Sequence, residues 1–167
     1  MKKFAFFIML AFLAACTPQK LVIVQVADAQ LGFMGGGRAK TEGPELADDL
    51  TYEVEYLKKA IEVINDIKPD AVVFTGDQVH RAKKDAQWDT FIETISAIDK
   101  SVTCLHIPGN HDLIIKKNKI VDSSDYLKRF PEDRFIYKNK GVTLVGINSN
   151  LIKYNDSLET AQTEWIR

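Results

Sequence analysis

Three short polar clusters interrupt apolar runs in this chain: Asp28-Ala29-Gln30, Gly76-Asp77-Gln78-Val79-His80-Arg81 and Pro108-Gly109-Asn110-His111-Asp112. Asp28 and Asp77 are hard anionic oxygen donors, and Gln30 and Asn110 add neutral carbonyl oxygens. Such a set suits hard divalent cations better than soft ones. His111 brings an imidazole, the side-chain type best suited to carrying protons at physiological pH. Arg81, at the end of the second cluster, reads by itself as an exposed loop charge. Gly76 and Gly109 permit sharp turns and close backbone approach. A single carboxylate in such a place is a helix cap or a turn residue. Two carboxylates, an amide and a histidine closing successive apolar runs are not explained by capping and point to a site.

The elements that must position these clusters alternate between strand and helix. Leu21–Val26 is a continuous β-branched run, as expected of a strand buried on both faces. Leu50–Ile67 places apolar residues at 50, 54, 57, 61 and 64, which is helical spacing, and Pro69-Asp70 stops it. Ala71–Thr75 is a second buried strand. Trp88, Phe91, Ile92, Ile95 and Ile98 mark a second amphipathic helix, and Val102–Ile107 a third strand. Asp122–Phe130 reads as a short helix. Arg134–Tyr137 and Val142–Asn148 flank Lys138-Asn139-Lys140-Gly141, which has hairpin chemistry. Thr160–Arg167 begins another helix. Gly35-Gly36-Gly37 is the one flexible-looking stretch. Strands separated by helices imply βαβ units and a parallel sheet, an α/β fold. Adjacent parallel strands would bring all three clusters to one rim, outside the carboxyl ends where such sheets bind ligands.

The 167 residues are 46% hydrophobic and 27% charged, which excludes a disordered tail, a fibre and a multi-span membrane protein. The formal net charge of -1 offers no nucleic-acid-binding surface. Two cysteines make no disulfide framework. Residues 1–15 read as a signal peptide: Lys2 and Lys3 precede the apolar run Phe4–Ala15, which is shorter than the roughly 20 residues of a membrane-spanning helix. Leu13-Ala14-Ala15-Cys16 resembles a bacterial lipobox, where the chain is cut before the cysteine and Cys16 carries the lipid. The plainer reading is an ordinary signal with an incidental Cys16. On the lipoprotein reading, residues 16–20 are a short tether, and 21–167 form a domain held at the periplasmic face or cell surface. Cys104, in an apolar run, is expected to be a small buried core residue.

Taken together, Asp28-x-Gln30, Gly76-Asp77-x-x-His80 and Gly109-Asn110-His111-Asp112 resemble the calcineurin-like metallophosphoesterase superfamily. The tetrad after the third strand is the most specific part. Asn148-Ser149-Asn150 and Gln162-x-x-Trp165 add to the resemblance, which is nearest to a branch carrying Asp-x-Gln where most members have Asp-x-His. The resemblance implies a four-layer α/β/β/α sandwich around two divalent metals (Mn, Fe, Zn or Mg) that hold a bridging hydroxide and clamp a phosphoester substrate. It assigns Asp77 as the bridging ligand, Asp28 to the first metal and Asn110 to the second. His111 would give a proton to the leaving oxygen, and Arg81 would contact the phosphate.

Three departures stand out. Gln30 replaces a ligating histidine, which favours Mn or Mg if it ligates at all. His80 stands where many phosphatases have an acid that orients the catalytic histidine; it can accept a hydrogen bond from His111 but adds no negative charge. The family completes its site with histidines from its C-terminal half, whereas the three histidines here are His80, His106 and His111. His106, inside the third strand, reads as a satisfied core or sheet-face residue. The expectation is therefore the N-terminal part of a phosphoesterase sandwich with the C-terminal half absent, weakly active at most by itself. The alternative is a non-catalytic lipoprotein that keeps the fold to bind a ligand or partner.

Overall fold

The structure, a computed structural model, describes residues 19–152 and 156–167. The expected signal peptide, Cys16 and most of the expected tether lie outside the described residues. Strand β1 (Ile23–Val26), helix α1 (Phe33–Arg38), helix α2 (Thr51–Ile67), strand β2 (Ala71–Phe74), helix α3 (Asp85–Ile95) and strand β3 (Thr103–His106) follow in order. Two hairpins and two helices come after them. Strands β4 (Ile114–Lys116) and β5 (Lys119–Asp122) pair, as do β6 (Phe135–Asn139) and β7 (Val142–Gly146). Helix α4 (Ser124–Arg129) lies between the hairpins, and α5 (Asp156–Ile166) comes last.

The first three strands form a parallel sheet in the order β1-β2-β3, with Val26 opposite Phe74 and Phe74 opposite His106. The three polar clusters therefore leave the same end of the sheet. Among the described strands only β2 is buried along its whole length, because only β2 has a strand on each side. Val72 and Phe74 are shut off from solvent, which is worth about 1.5–3 kcal/mol for each side chain. The expectation that β1 is buried on both faces is corrected: it is an edge strand, half-buried, with Gln25 exposed. Cys104 is corrected in the same way. Strand β3 is the other edge, and Cys104 is exposed on it.

Helix α2 turns Leu57, Ile61 and Ile64 onto the core, where Trp88 and Phe91 of α3 join them. Lys68 ends α2 in the left-handed region, at φ 50°, just ahead of Pro69. Trp88 is fully buried, and its indole N–H donates to the Ala82 carbonyl at 2.8 Å. The glycine triplet is helical rather than loose. A Cβ on Gly35 would strike the Leu46 and Asp49 carbonyls, so glycine lets α1 lie against the 3-10 turn Pro44–Asp48.

The β4–β5 hairpin was not anticipated. Its two-residue loop, Lys117-Asn118, has positive φ at both positions, the backbone of a type I′ turn. The expected second hairpin turns at Lys140-Gly141 with the same signs. It runs the height of the sheet. At the bottom, Lys140 pairs with Asp70 at 2.6 Å and donates to the Lys20 carbonyl, while the Tyr137 hydroxyl donates to the Asp70 carbonyl. At the top, the Asn150 side chain donates to the Pro108 carbonyl at 3.1 Å, beside the third polar cluster. No helix among the described residues is long and apolar enough to cross a membrane.

Candidate metal and phosphate site

Backbone hydrogen bonds join the loops at the rim. Asp28 N–H donates to the Gly76 carbonyl (3.2 Å), Gln30 N–H to the Asp77 carbonyl (2.8 Å) and Leu31 N–H to the Gln78 carbonyl (3.2 Å). The third loop presses on the second. A Cβ on Gly76 would lie 2.6 Å from the Gly109 nitrogen, and one on Gly109 would collide with Asp77 itself. His111 N–H donates to Asp77 Oδ1 at 2.8 Å. Asp77 thus joins the Asp28–Gln30 loop through its carbonyl and the Asn110–His111 loop through its carboxylate.

Asp28 (φ 53°), Gln30 (φ 42°) and Asp77 (φ 50°) all have left-handed backbones, although none is glycine. Such conformations cost on the order of 1 kcal/mol or more, and they persist where surrounding structure over-determines them, as at functional sites. Here the stitching bonds supply that constraint.

Asp112 braces the arrangement from below. It is fully buried, and its carboxylate oxygens accept Val79 N–H (3.1 Å) and Gly109 N–H (2.8 Å). Burial outweighs those bonds and pushes its carboxyl up to about 7. In the sequence Asp112 closes the tetrad with no role of its own, because the bracing depends on backbone groups 3 and 33 residues away. Gln87 of α3, also buried, accepts Arg81 N–H at 2.8 Å and fixes the start of the Arg81 loop.

His111 Nδ1 lies 2.9 Å from the carbonyl oxygen of His80. A carbonyl can only accept, so Nδ1 carries the proton and Nε2 is left to gain or give one. His80 thus accepts a hydrogen bond from His111, through its backbone carbonyl and not its ring. The His80 ring instead stacks on the His111 ring, with centroids 5.0 Å apart. Burial, and then the neighbouring His111 and Arg81 charges, lower the His80 pKa, so it favours the neutral form. His106 is packed between Phe74 and Phe130, at 4.8 and 4.0 Å between ring centroids. It is not the satisfied histidine expected, because its buried Nδ1 has no partner among the described residues.

Six of the seven site residues divide between two clefts, and Asp77 lines neither. His80, Arg81, Asn110 and His111 line one of about 730 Å³, along with Ser149 and Asn150. Asp28 and Gln30 line a second of about 350 Å³, together with Phe33, Tyr52, Glu53 and Tyr56. Glu53 was not singled out by sequence, because helical spacing places it on the buried stripe of α2. Its Oε1 accepts Met34 N–H at 2.7 Å, and its buried Oε2 has no partner among the described residues. Asn148 and Gln162 prove to be structural partners: Gln162 Oε1 accepts Asn148 N–H, and its Nε2 donates to the Asn148 carbonyl.

The donors gathered at the rim are two carboxylates and two amides, all oxygen, on a constrained backbone. That chemistry fits hard divalent cations. Among the described residues, no group of three or more His, Cys, Asp or Glu is arranged to hold a metal, so these four residues supply only part of a two-ion donor set.

No curated protein matches the chain in sequence. The family model for calcineurin-like phosphoesterases matches residues 21–162, which takes in every element from β1 into α5 and all the rim residues. The chain belongs to the calcineurin-like phosphoesterase family.

Proposed function

We propose that the chain hydrolyses a phosphoester with the help of two divalent metal ions, and that it does so as an exported lipoprotein anchored through Cys16. The observation that carries the enzymatic part is the rim itself: Asp28, Gln30 and Asp77 held in left-handed backbones by bonds between loops, with Asn110 and His111 delivered beside them. Asp28, Gln30, Asp77 and Asn110 would hold the ions. When bound, the ions supply Lewis-acid stabilisation and an activated water nucleophile.

The remaining roles belong to the chain's own side chains. Arg81 lines the cleft and forms no ion pair among the described residues, so its guanidinium is open to a phosphate oxygen. His111, with Nδ1–H committed to the His80 carbonyl, presents Nε2 to the leaving oxygen and gives it a proton. The stacked His80 ring holds the plane of His111 without adding charge. The lipid anchor rests on the sequence of residues 1–16 alone.

The test is to load the protein with Mn or Mg, remove free metal, and measure bound metal and hydrolysis of para-nitrophenyl phosphate. Asp77→Asn should lower both. Equal metal content and equal turnover in the variant would overturn the assignment. A second reading, a ligand-binding protein without catalysis, is favoured by the incomplete metal-donor set among the described residues. It predicts phosphate binding with no turnover at any metal concentration.

A further inference from the structure

Arg81 is held at its backbone and left open at its head. The first turn of α3 supplies the hold. Gln87 Oε1 accepts Arg81 N–H at 2.8 Å, Lys84 N–H donates to the Arg81 carbonyl at 2.9 Å, and the Trp88 indole donates to the Ala82 carbonyl at 2.8 Å. Gln87 is 3% exposed, so water does not compete for its amide. A backbone N–H can only donate, which turns Oε1 toward Arg81 and leaves Nε2 for the first loop. There Nε2 packs on the α-carbon of Gly32, whose φ is 95°, and a Cβ at that position would collide with it. The loop that carries Asp28 and Gln30 and the loop that carries Asp77 and Arg81 thus meet at one amide. The head of Arg81 lies against α1. A Cβ on Gly36 would stand 3.7 Å from Arg81 Nη2 and 3.8 Å from His80 Cδ2, so the guanidinium passes over a buried glycine where a longer side chain would displace it.

We propose that Gln87 is a positioning residue for phosphate binding. Through the Arg81 backbone it sets where the guanidinium meets a phosphate oxygen, and Gly36 leaves the guanidinium its room. The inference rests on the phosphoesterase reading above and on the phosphate contact given there to Arg81. An arginine side chain loses rotamer freedom when it grips an anion, and fixing its root beforehand lowers that cost. The fork of a guanidinium also rewards correct placement more than a point charge does. Gln87 itself touches no substrate. Its loss should weaken phosphate binding and leave the oxygen donors of the metal site in place.

The test titrates inorganic phosphate calorimetrically into the Mn-loaded full chain, with bound Mn measured alongside. Arg81→Ala should weaken phosphate about tenfold or more. Gln87→Met keeps the length of the side chain and its packing on Gly32 but loses the acceptor; it should weaken phosphate about three- to tenfold with bound Mn unchanged. In the Arg81→Ala background the same change should move phosphate affinity less than about twofold, because the side chain it positions is gone. Gln87→Leu is the second variant, and thermal melting would establish that each one folds. Gly36→Leu, on a different helix, should weaken phosphate as Arg81→Ala does. An unchanged affinity in the folded Gln87 variants, or an equal loss with and without Arg81, would overturn the positioning and leave the phosphoesterase reading standing. An unchanged affinity in Gly36→Leu would overturn the placing of the guanidinium by α1. Failure of the wild type to bind phosphate, or binding untouched by Arg81→Ala, would overturn the reading on which the inference rests.

Discussion

Lowering the pH from 7.5 to 5 should cost the folded chain about 2 kcal/mol through His106 alone. Burial pushes the His106 imidazole from its ordinary 6.5 down to about 4, and stacking between Phe74 and Phe130 leaves its Nδ1 no acceptor for a second proton. The unfolded chain takes up a proton near pH 6.5 and the folded chain does not until about 4, so protonation pulls the equilibrium toward unfolding between those values. The whole shift amounts to about 3 kcal/mol, of which about 2 is lost by pH 5. Asp112 acts in the opposite sense. Its raised pKa means that the folded form binds its proton first, so acid favours folding through that group. The measurement must therefore be a difference. Urea unfolding of the wild type and of His106→Leu, similar in volume and unable to titrate, would be followed at pH 7.5 and pH 5. With a denaturant slope of about 2 kcal/mol per molar, the wild-type midpoint should fall about 1 M further than that of the variant. Parallel pH responses in the two proteins would refute the reasoning and mean that the His106 ring finds a proton acceptor in the folded state.

Other expectations follow from the rim. Gly109→Ala should cost about 1–3 kcal/mol, seen in thermal melting, because its Cβ has only Asp77 to push against; it should weaken metal binding in the same step, and an unchanged melting temperature would contradict the close approach. His111→Asn should lower turnover roughly 10²–10⁴-fold, with a smaller loss for substrates whose leaving groups need no proton; an equal loss across leaving groups would assign His111 another task. Cys16→Ser should release the protein from the membrane fraction or stall its processing, and unchanged membrane association would dispose of the lipid anchor.

The strand and helix succession, and the gathering of the polar clusters at one rim, could be read from the chain because both are local consequences. Runs such as Ala71–Phe74 have few ways to be buried, and parallel strands joined by helices must share a carboxyl end. Asp28, Asp77, Asn110 and His111 stood out because each follows such a run. What the chain did not reveal depended on neighbours distant in sequence. Sheet order made β1 and β3 edges, which exposed Cys104 although its apolar surroundings pointed inward. Periodicity cannot tell a buried acid from an exposed one, so nothing in the chain marks Glu53, on the inward stripe of α2, as the acceptor of Met34 N–H. The β4–β5 hairpin turns on Lys117 and Asn118, without the glycine that makes the second hairpin legible. The partner of His111 was decided by folding as well. Position 80 offers an imidazole and a carbonyl, and only the packing of the His80 ring on the His111 ring leaves the carbonyl as the atom that accepts the proton of Nδ1.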